Sequence, residues 1–278
     1  MKLGNFEIFL ISDGNFWLDG GAMFGVVPKV LWEKTNPADQ LNRIELGLNC
    51  CLIRAKNRNI LIDTGVGDKL DRKFANMYRI KKSRNISDSL KAIGLSEADI
   101  DIVINTHLHF DHCGGNTKVE DGSFAPRFKK AKYLIQRQEW EDATHPNERT
   151  KASYLQENFI PVKEGGQLEL IDGNEEIIPG VKTIVTGGHT VGHQVVLIES
   201  EGETALYLGD LVPTTSHIKI PYVMGYDLYP LDTMRKKKEL LRRAVVERWL
   251  LIFEHDPKVF AGYLKEREGK FILKEEYL

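Results

Sequence analysis

The chain has 278 residues, 42% of them hydrophobic, and a formal net charge of −2, enough apolar material to build one large domain over residues 1–278. No basic run stands out beyond Arg235 to Lys238 and no stretch of about eighteen apolar residues occurs, which argues against a nucleic-acid surface, an anionic-membrane surface or a membrane span. The three cysteines, Cys50, Cys51 and Cys113, suggest no disulfide framework, and the N-terminus lacks an apolar signal segment, so a cytoplasmic protein acting on a small molecule is expected.

In chain order, Phe6 to Ile11 alternates loosely and predicts an edge strand ending at Asp13-Gly14. Asp19 to Leu48 is apolar without a clean period. It mixes Gly20, Gly21 and Gly25 with Met23, Phe24, Leu31 and Trp32, and reads as a cover over a cleft, a contact between two copies in a homodimer, or core filling. Asn49 to Ala55 and Asn59 to Asp63 predict a hairpin around Lys56-Asn57-Arg58. Ser87 to Ile93 predicts a helix stopped by Gly94, and Ser96 caps a further turn before a buried strand at Ile102 to Ile104.

That strand runs into Thr106 to Asn116, THLHFDHCGGN, which places His107, His109, Asp111 and His112 within six residues. Imidazole and carboxylate are the natural ligands of zinc-like ions, so the pattern has the composition of a metal site. The Gly114-Gly115 pair ends regular structure, which leaves the four residues on a strand-to-loop exit. From there His107 and His109 can turn to one point and Asp111 and His112 to a second, so two metals are expected.

Further on, Lys132 to Gln136 predicts a strand and Gln138 to Ala143 a helix. Strands at Val181 to Val185 and Gln194 to Glu199 bracket TGGHTVGH, and Ala205 to Leu208 leads into Gly209-Asp210. Leu240, Leu241, Val245, Trp249 and Leu250 recur at helical spacing and predict a helix from Leu231 to about Leu251. A short strand ending at His255 and a terminal hairpin around Arg267-Glu268-Gly269 complete the chain. Asp63, His107, His189, Asp210 and His255 all fall at strand exits, the places where rigid sheets hold site-building loops. Ile60-Leu61-Ile62-Asp63 and Leu206-Tyr207-Leu208-Gly209-Asp210 are loosely alike, as two similar halves would be.

With these residues assembled, the chain resembles the metallo-β-lactamase fold superfamily over nearly its whole length. The resemblance rests on five motifs in order: Asp63 in IDTG, THLHFDH, His189 in GGHTVGH, Asp210 in LGD, and His255. It implies an α+β fold, a four-layer αββα sandwich with the metals at one edge of its two sheets. By the same resemblance His107, His109 and His189 bind one metal, Asp111, His112 and His255 the other, Asp210 bridges them, and Asp63 supports a ligand from behind. HLHFDHCGGN, the GHTVGHQ loop and Gly209 to Pro230 are most similar to N-acyl-homoserine lactone lactonases and their organophosphate-hydrolysing relatives. Some lactonases carry a tyrosine three residues after the bridging aspartate, where this chain has Pro213. A substrate-facing tyrosine is therefore sought among Tyr222, Tyr226 and Tyr229, with Tyr226 assigned to catalysis beside Asp111.

The remaining candidates receive plainer readings. His193 is read as supporting the site rather than binding metal, His145 as solvated, His217 as packing, and Cys113 as a small buried residue. Metal-bound hydroxide is expected to attack a lactone or ester carbonyl while Asp111 donates the proton to the leaving oxygen. Zinc is the expected metal, with Mn, Fe or Co as alternatives. The rival activities are glyoxalase II-like thioesterase and phosphotriesterase chemistry, and, with less support, a nuclease or a di-iron redox protein. The first would need a basic track, and the second usually brings a flavin-binding domain for which there is no room.

Overall fold

A computed structural model describes the backbone of residues 1–277 and the side chains of residues 1–274. Two seven-stranded sheets follow one another along the chain. The first runs in spatial order through Lys2–Leu3, Phe6–Asp19, Arg43–Ala55, Arg58–Ile62, Ile102–Ile104, Lys132–Gln136 and Leu168–Ile171. The second runs through Glu176–Ile178, Val181–Val185, Gln194–Ser200, Glu203–Tyr207, Leu250–Ile252, Ala261–Arg267 and Lys270–Tyr277.

Alternation along the strands sorts side chains between layers. Cys51 and Ile53 turn inward and join Ile60, Ile62, Val196, Ile198, Ala205, Tyr207 and Ile252 in a core between the sheets. Their neighbours Cys50, Leu52, Leu61 and Val103 turn outward, where Ile86 and Leu90 of helix Ile86–Ala92 cover them. On the other side Leu206 and Leu251 pack under Leu240, Leu241 and Ala244 of helix Pro230–Val246. Helix, sheet, sheet and helix make the expected four-layer αββα sandwich, since each sheet has an apolar face on either side to bury.

The halves are built alike. In the first, Arg58–Ile62 pairs antiparallel with Arg43–Ala55 and parallel with Ile102–Ile104. In the second, Glu203–Tyr207 pairs antiparallel with Gln194–Ser200 and parallel with Leu250–Ile252. Asp63 and Asp210 follow matching strands, and His107 and His255 lie beyond the parallel neighbours of those strands.

Three elements differ from expectation. The first strand continues through Asp13-Gly14 to Asp19, because a register shift between Ser12 and Asn15 lets the ladder to Arg43–Ala55 resume after Gly14. The apolar stretch is not one loop: it holds helices Gly20–Phe24 and Lys29–Trp32, and its last residues belong to strand Arg43–Ala55. The late helix stops at Val246 and Leu250–Ile252 is a central strand, the chain having turned at Arg248, whose φ is +56°. A hairpin of Thr117–Glu120 with Ser123–Pro126 was not visible in the sequence pattern. No helix among the described residues is long and apolar enough to cross a membrane.

Candidate metal centre

The first group of site residues leaves strand Ile102–Ile104 and is fixed from below. Asp63 accepts from the Thr106 amide at 2.8 Å and the Thr106 hydroxyl at 2.7 Å, and lies 3.2 Å from His112 Nδ1. Thr64 N donates to His112 O, so the 63–67 loop and the histidine loop are one unit. Gly114 and Gly115 permit this contact: a Cβ on Gly114 would stand 2.2 Å from Val66 O, and one on Gly115 2.2 Å from Thr64 O. The second group sits on the opposing sheet's exits. His189 follows strand Val181–Val185, Asp210 follows Glu203–Tyr207, and His255 follows Leu250–Ile252 and donates through Nδ1 to Gly47 O, 2.8 Å away.

All seven predicted side chains converge. His189 Nε2 lies 3.1 Å from His109 Nδ1 and 3.1 Å from Asp210 Oδ2, with His107 Nε2 3.9 Å from that oxygen. On the other side His255 Nε2 lies 3.1 Å from His112 Nε2, 3.3 Å from Asp210 Oδ1 and 3.7 Å from Asp111 Oδ2. Asp210 thus lies between the clusters, Oδ1 toward His255 and Oδ2 toward His189, with Oδ2 also 3.5 Å from His112 Nε2. His107, His109, His189 and Asp210 form one compact donor group and Asp111, His112 and His255 another.

Two observations test whether cations fit. His107 Nε2 and Asp210 Oδ1 are buried and have no hydrogen-bond partner, an arrangement that costs a few kcal/mol unless something else binds them. The nitrogen pairs also face each other at about the spacing, roughly 3.3 Å, of two ligands 2.0–2.1 Å from one tetrahedral ion. Electrostatics agree. Burial and the neighbouring imidazoles hold His107 and His109 well below the ordinary histidine value, so both offer lone pairs. Burial would do the same to His255, but Asp210 and Glu254 reverse it and push the ring up to about 9. Burial would raise Asp210, yet His189, His112 and His255 hold it well below the usual carboxylate range. These carboxylates draw positive charge into the cluster, where a divalent cation serves better than protons. The donor set suits a divalent metal.

A family model described as the metallo-beta-lactamase superfamily matches residues 44–255. The chain belongs to the metallo-beta-lactamase superfamily. It is a metal-dependent hydrolase of that family. It is 30% identical over 241 residues to an N-acyl homoserine lactonase of a Bacillus species, covering 80% of this chain and 88% of the relative. It is 35% identical to a probable metal-dependent hydrolase from Staphylococcus aureus, with a TM-score of 0.91 and all of both chains covered. AidC, a dizinc quorum-quenching lactonase solved with a product, superposes with a TM-score of 0.81 over 100% of this chain and 97% of its own; at 22% identity that likeness is one of fold.

The centre opens into a cavity of about 390 Å³. Leu18, Ala22, Met23, Phe110, Met224 and Leu228 give it apolar walls, and Tyr78, Arg149 and Tyr226 stand among them. Of the three tyrosines named from sequence only Tyr226 lines it. Tyr222 packs edge-on against Phe24, and Tyr229 is exposed. Met23 reaches the cavity, whereas Phe24 is buried behind it between Trp32 and His217, with ring centroids 5.3 and 4.6 Å away. His217 accordingly packs, its Nε2 at Met23 O. His193 sits behind the cluster and accepts from Asp210 N at 3.1 Å, His145 is exposed, and Cys113 is buried with its thiol on Leu108 O.

Sequence reasoning missed three buried carboxylates behind the histidines. Glu139 accepts from Leu108 N, the Tyr154 hydroxyl and the Thr190 hydroxyl, tying the loops of His107 and His189 to helix Arg137–Thr144. Glu254 has an oxygen 2.9 Å from His112 Nδ1 but out of line for a hydrogen bond, and neither oxygen has a partner. Burial and the nearby Asp63 push it up to about 8. Asp227 lies 2.9 Å from His189 Nδ1. The only signal for Glu254 was its place beside His255; nothing local marked the other two.

Proposed function

We propose that the protein opens lactone rings, N-acyl homoserine lactones being the substrate class, with two divalent ions in the centre. His107, His109 and His189 would hold one ion, Asp111, His112 and His255 the other, and Asp210 both. Zinc is the first choice for this nitrogen-rich set, with Mn, Fe or Co acceptable to a mixed His/Asp site. Bound there, the pair would supply a water ionised near neutral pH and polarise the substrate carbonyl.

The chain's own residues supply the rest. Asp111, on the cavity wall, takes the proton that the attacking water releases and returns it to the ring oxygen as the acyl carbon–oxygen bond breaks. The Tyr226 hydroxyl faces the same space and donates to the substrate carbonyl oxygen as charge develops there. Burial pushes that hydroxyl's pKa up, so it remains a donor at any pH where the enzyme works. Leu18, Met23 and Met224 receive the acyl chain and exclude water along it. We take the enzyme to act in the cytoplasm, where its three buried, unpaired thiols stay reduced.

The observation that carries this reading is the convergence of seven donors beneath an amphipathic cavity in a chain 30% identical to an N-acyl homoserine lactonase. Metal-replete protein tested on acyl homoserine lactones, a glutathione thioester, a phosphotriester and a phosphodiester should prefer the lactones. A higher kcat/KM on the thioester or phosphotriester would replace the substrate class and leave the centre in place.

A further inference from the structure

The carboxylate of Asp227 is buried and divided between two parts of the molecule. Oδ1 faces His189 Nδ1 at 2.9 Å, and Oδ2 accepts from Met224 N at 3.2 Å. The segment 222–229 is stitched to the same histidine a second time, through Leu228 N to His189 O at 3.1 Å and Tyr229 N to Gly188 O at 2.8 Å. Its outer edge is held by Gly225 N to Ala22 O and by Arg149 Nη2 to Gly225 O. Met224, Gly225, Tyr226 and Leu228 of this strap form one wall of the cavity.

We propose that Asp227 is a positioning residue that couples ion binding at His189 to the order of the substrate-facing strap. The inference rests on the reading of His189 as a metal ligand. His189 turns one ring nitrogen to the donor group and the other to Asp227. Its Nε2 lies 3.1 Å from Asp210 Oδ2 and 3.1 Å from His109 Nδ1, so an ion held among these atoms pins the ring at one end while Asp227 Oδ1 holds it at the other. With the ring fixed at both ends, Asp227 Oδ1 keeps its contact with Nδ1 and Oδ2 stays on Met224 N; without the ion the ring is held at one end only, and the strap loosens with it. By linkage, whatever orders the strap also tightens the ion.

Two variants separate the halves of this bracket. Asp227→Asn keeps an oxygen for His189 Nδ1–H but turns an amide donor toward Met224 N, so it frees the strap and spares the ion. Asp227→Ala removes both contacts. Hydrogen exchange over residues 222–229 is measured with Zn-loaded protein and after chelation. Competition with a chromophoric chelator gives metal affinity. In the wild type the strap should exchange faster once the metal is removed. In Asp227→Asn it should exchange fast with or without metal, at near wild-type metal affinity, and KM should rise more than kcat falls. In Asp227→Ala metal affinity should drop roughly 10- to 100-fold, as for other residues that hold a ligand from behind. The proposal is overturned if wild-type strap exchange ignores the metal, or if Asp227→Asn retains metal-dependent protection. Should Asp227→Ala not fold, the isosteric Asn variant and the wild-type comparison decide alone. Exchange and metal affinity use no substrate, so a failure on lactones would leave this result standing.

Discussion

The Nε2 atoms of His112 and His255 point at one another across 3.1 Å, and both rings are buried. Two lone pairs so placed repel unless a proton or cation lies between them. Carefully supplemented protein should hold close to two equivalents of transition metal, and Asp210→Ala should lose more of it than His193→Ala. Chelation should also lower the unfolding temperature, because a ligand at about 100 times its Kd adds about 2.7 kcal/mol to the native state. Elemental analysis settles the stoichiometry; one ion or none would end the two-metal reading.

Asp111→Asn keeps the size of the side chain and removes its capacity to carry a proton. Turnover should fall by roughly 100-fold or more, with a smaller change in KM. Steady-state kinetics on a homoserine lactone, with metal content checked in parallel, would detect this. Unchanged turnover removes Asp111 from the proton path.

Of Tyr222, Tyr226 and Tyr229 only Tyr226 lines the cavity. Tyr226→Phe should cost roughly tenfold in kcat/KM, the worth of one hydrogen bond made to the reacting oxygen. Tyr222→Phe and Tyr229→Phe should leave it unchanged, since neither side chain lines the cavity. Equal effects from all three would return the role to the loop as a whole.

Chain-length preference should follow Met23 and not Phe24. Each methylene buried against the apolar wall contributes about 0.8 kcal/mol, or roughly fourfold in kcat/KM. Met23→Ala should flatten the rise from short to long acyl chains. Phe24, stacked between Trp32 and His217, is core, so Phe24→Ala should instead destabilise the fold by about 3–5 kcal/mol. Comparing kcat/KM across a lactone series with urea unfolding of each variant distinguishes the two.

Lys237 is fully buried, and its ammonium donates to three carbonyls, those of His217, Lys219 and Tyr222, at 3.0, 3.2 and 2.7 Å. Burial pushes it down from 10.5 to about 7. Between those two values the unfolded chain binds one more proton than the folded one, so stability rises with pH through that window and levels off below it. Lys237→Met lacks this dependence. The unfolding temperature of the wild type relative to Lys237→Met, both metal-loaded, should therefore increase from pH 7 to pH 10; a constant or falling difference would contradict the buried-lysine account.

The donor set was legible because four of its members are crowded into His107 to His112 and the other three follow apolar strands that name themselves. The αββα architecture came through the same residues and their family resemblance. What lay hidden was held by long-range contact. Asp227 meets His189 across 38 positions, and Glu139 meets Thr190 across 51, so no local spacing could pair them. The stretch after Asp19 misled because helices of five and four residues are too short to display a 3.6 period. Leu250 misled for the opposite reason: it continues a helical spacing that the backbone abandons at Arg248, a non-glycine residue with positive φ.

The two halves of the sandwich share each donor group between them. His107 and His109 come from the first sheet and His189 and Asp210 from the second; Asp111 and His112 face His255 in the same way. Neither half owns a complete set, so the centre acts as a gauge of how the sheets are seated on one another. A sub-ångström slide in the core, for example at Tyr207, whose hydroxyl reaches across to Asn49 O, would change the ligand spacing. The inter-sheet packing therefore sets alignment as well as stability, and core substitutions that leave the fold intact can still detune the enzyme.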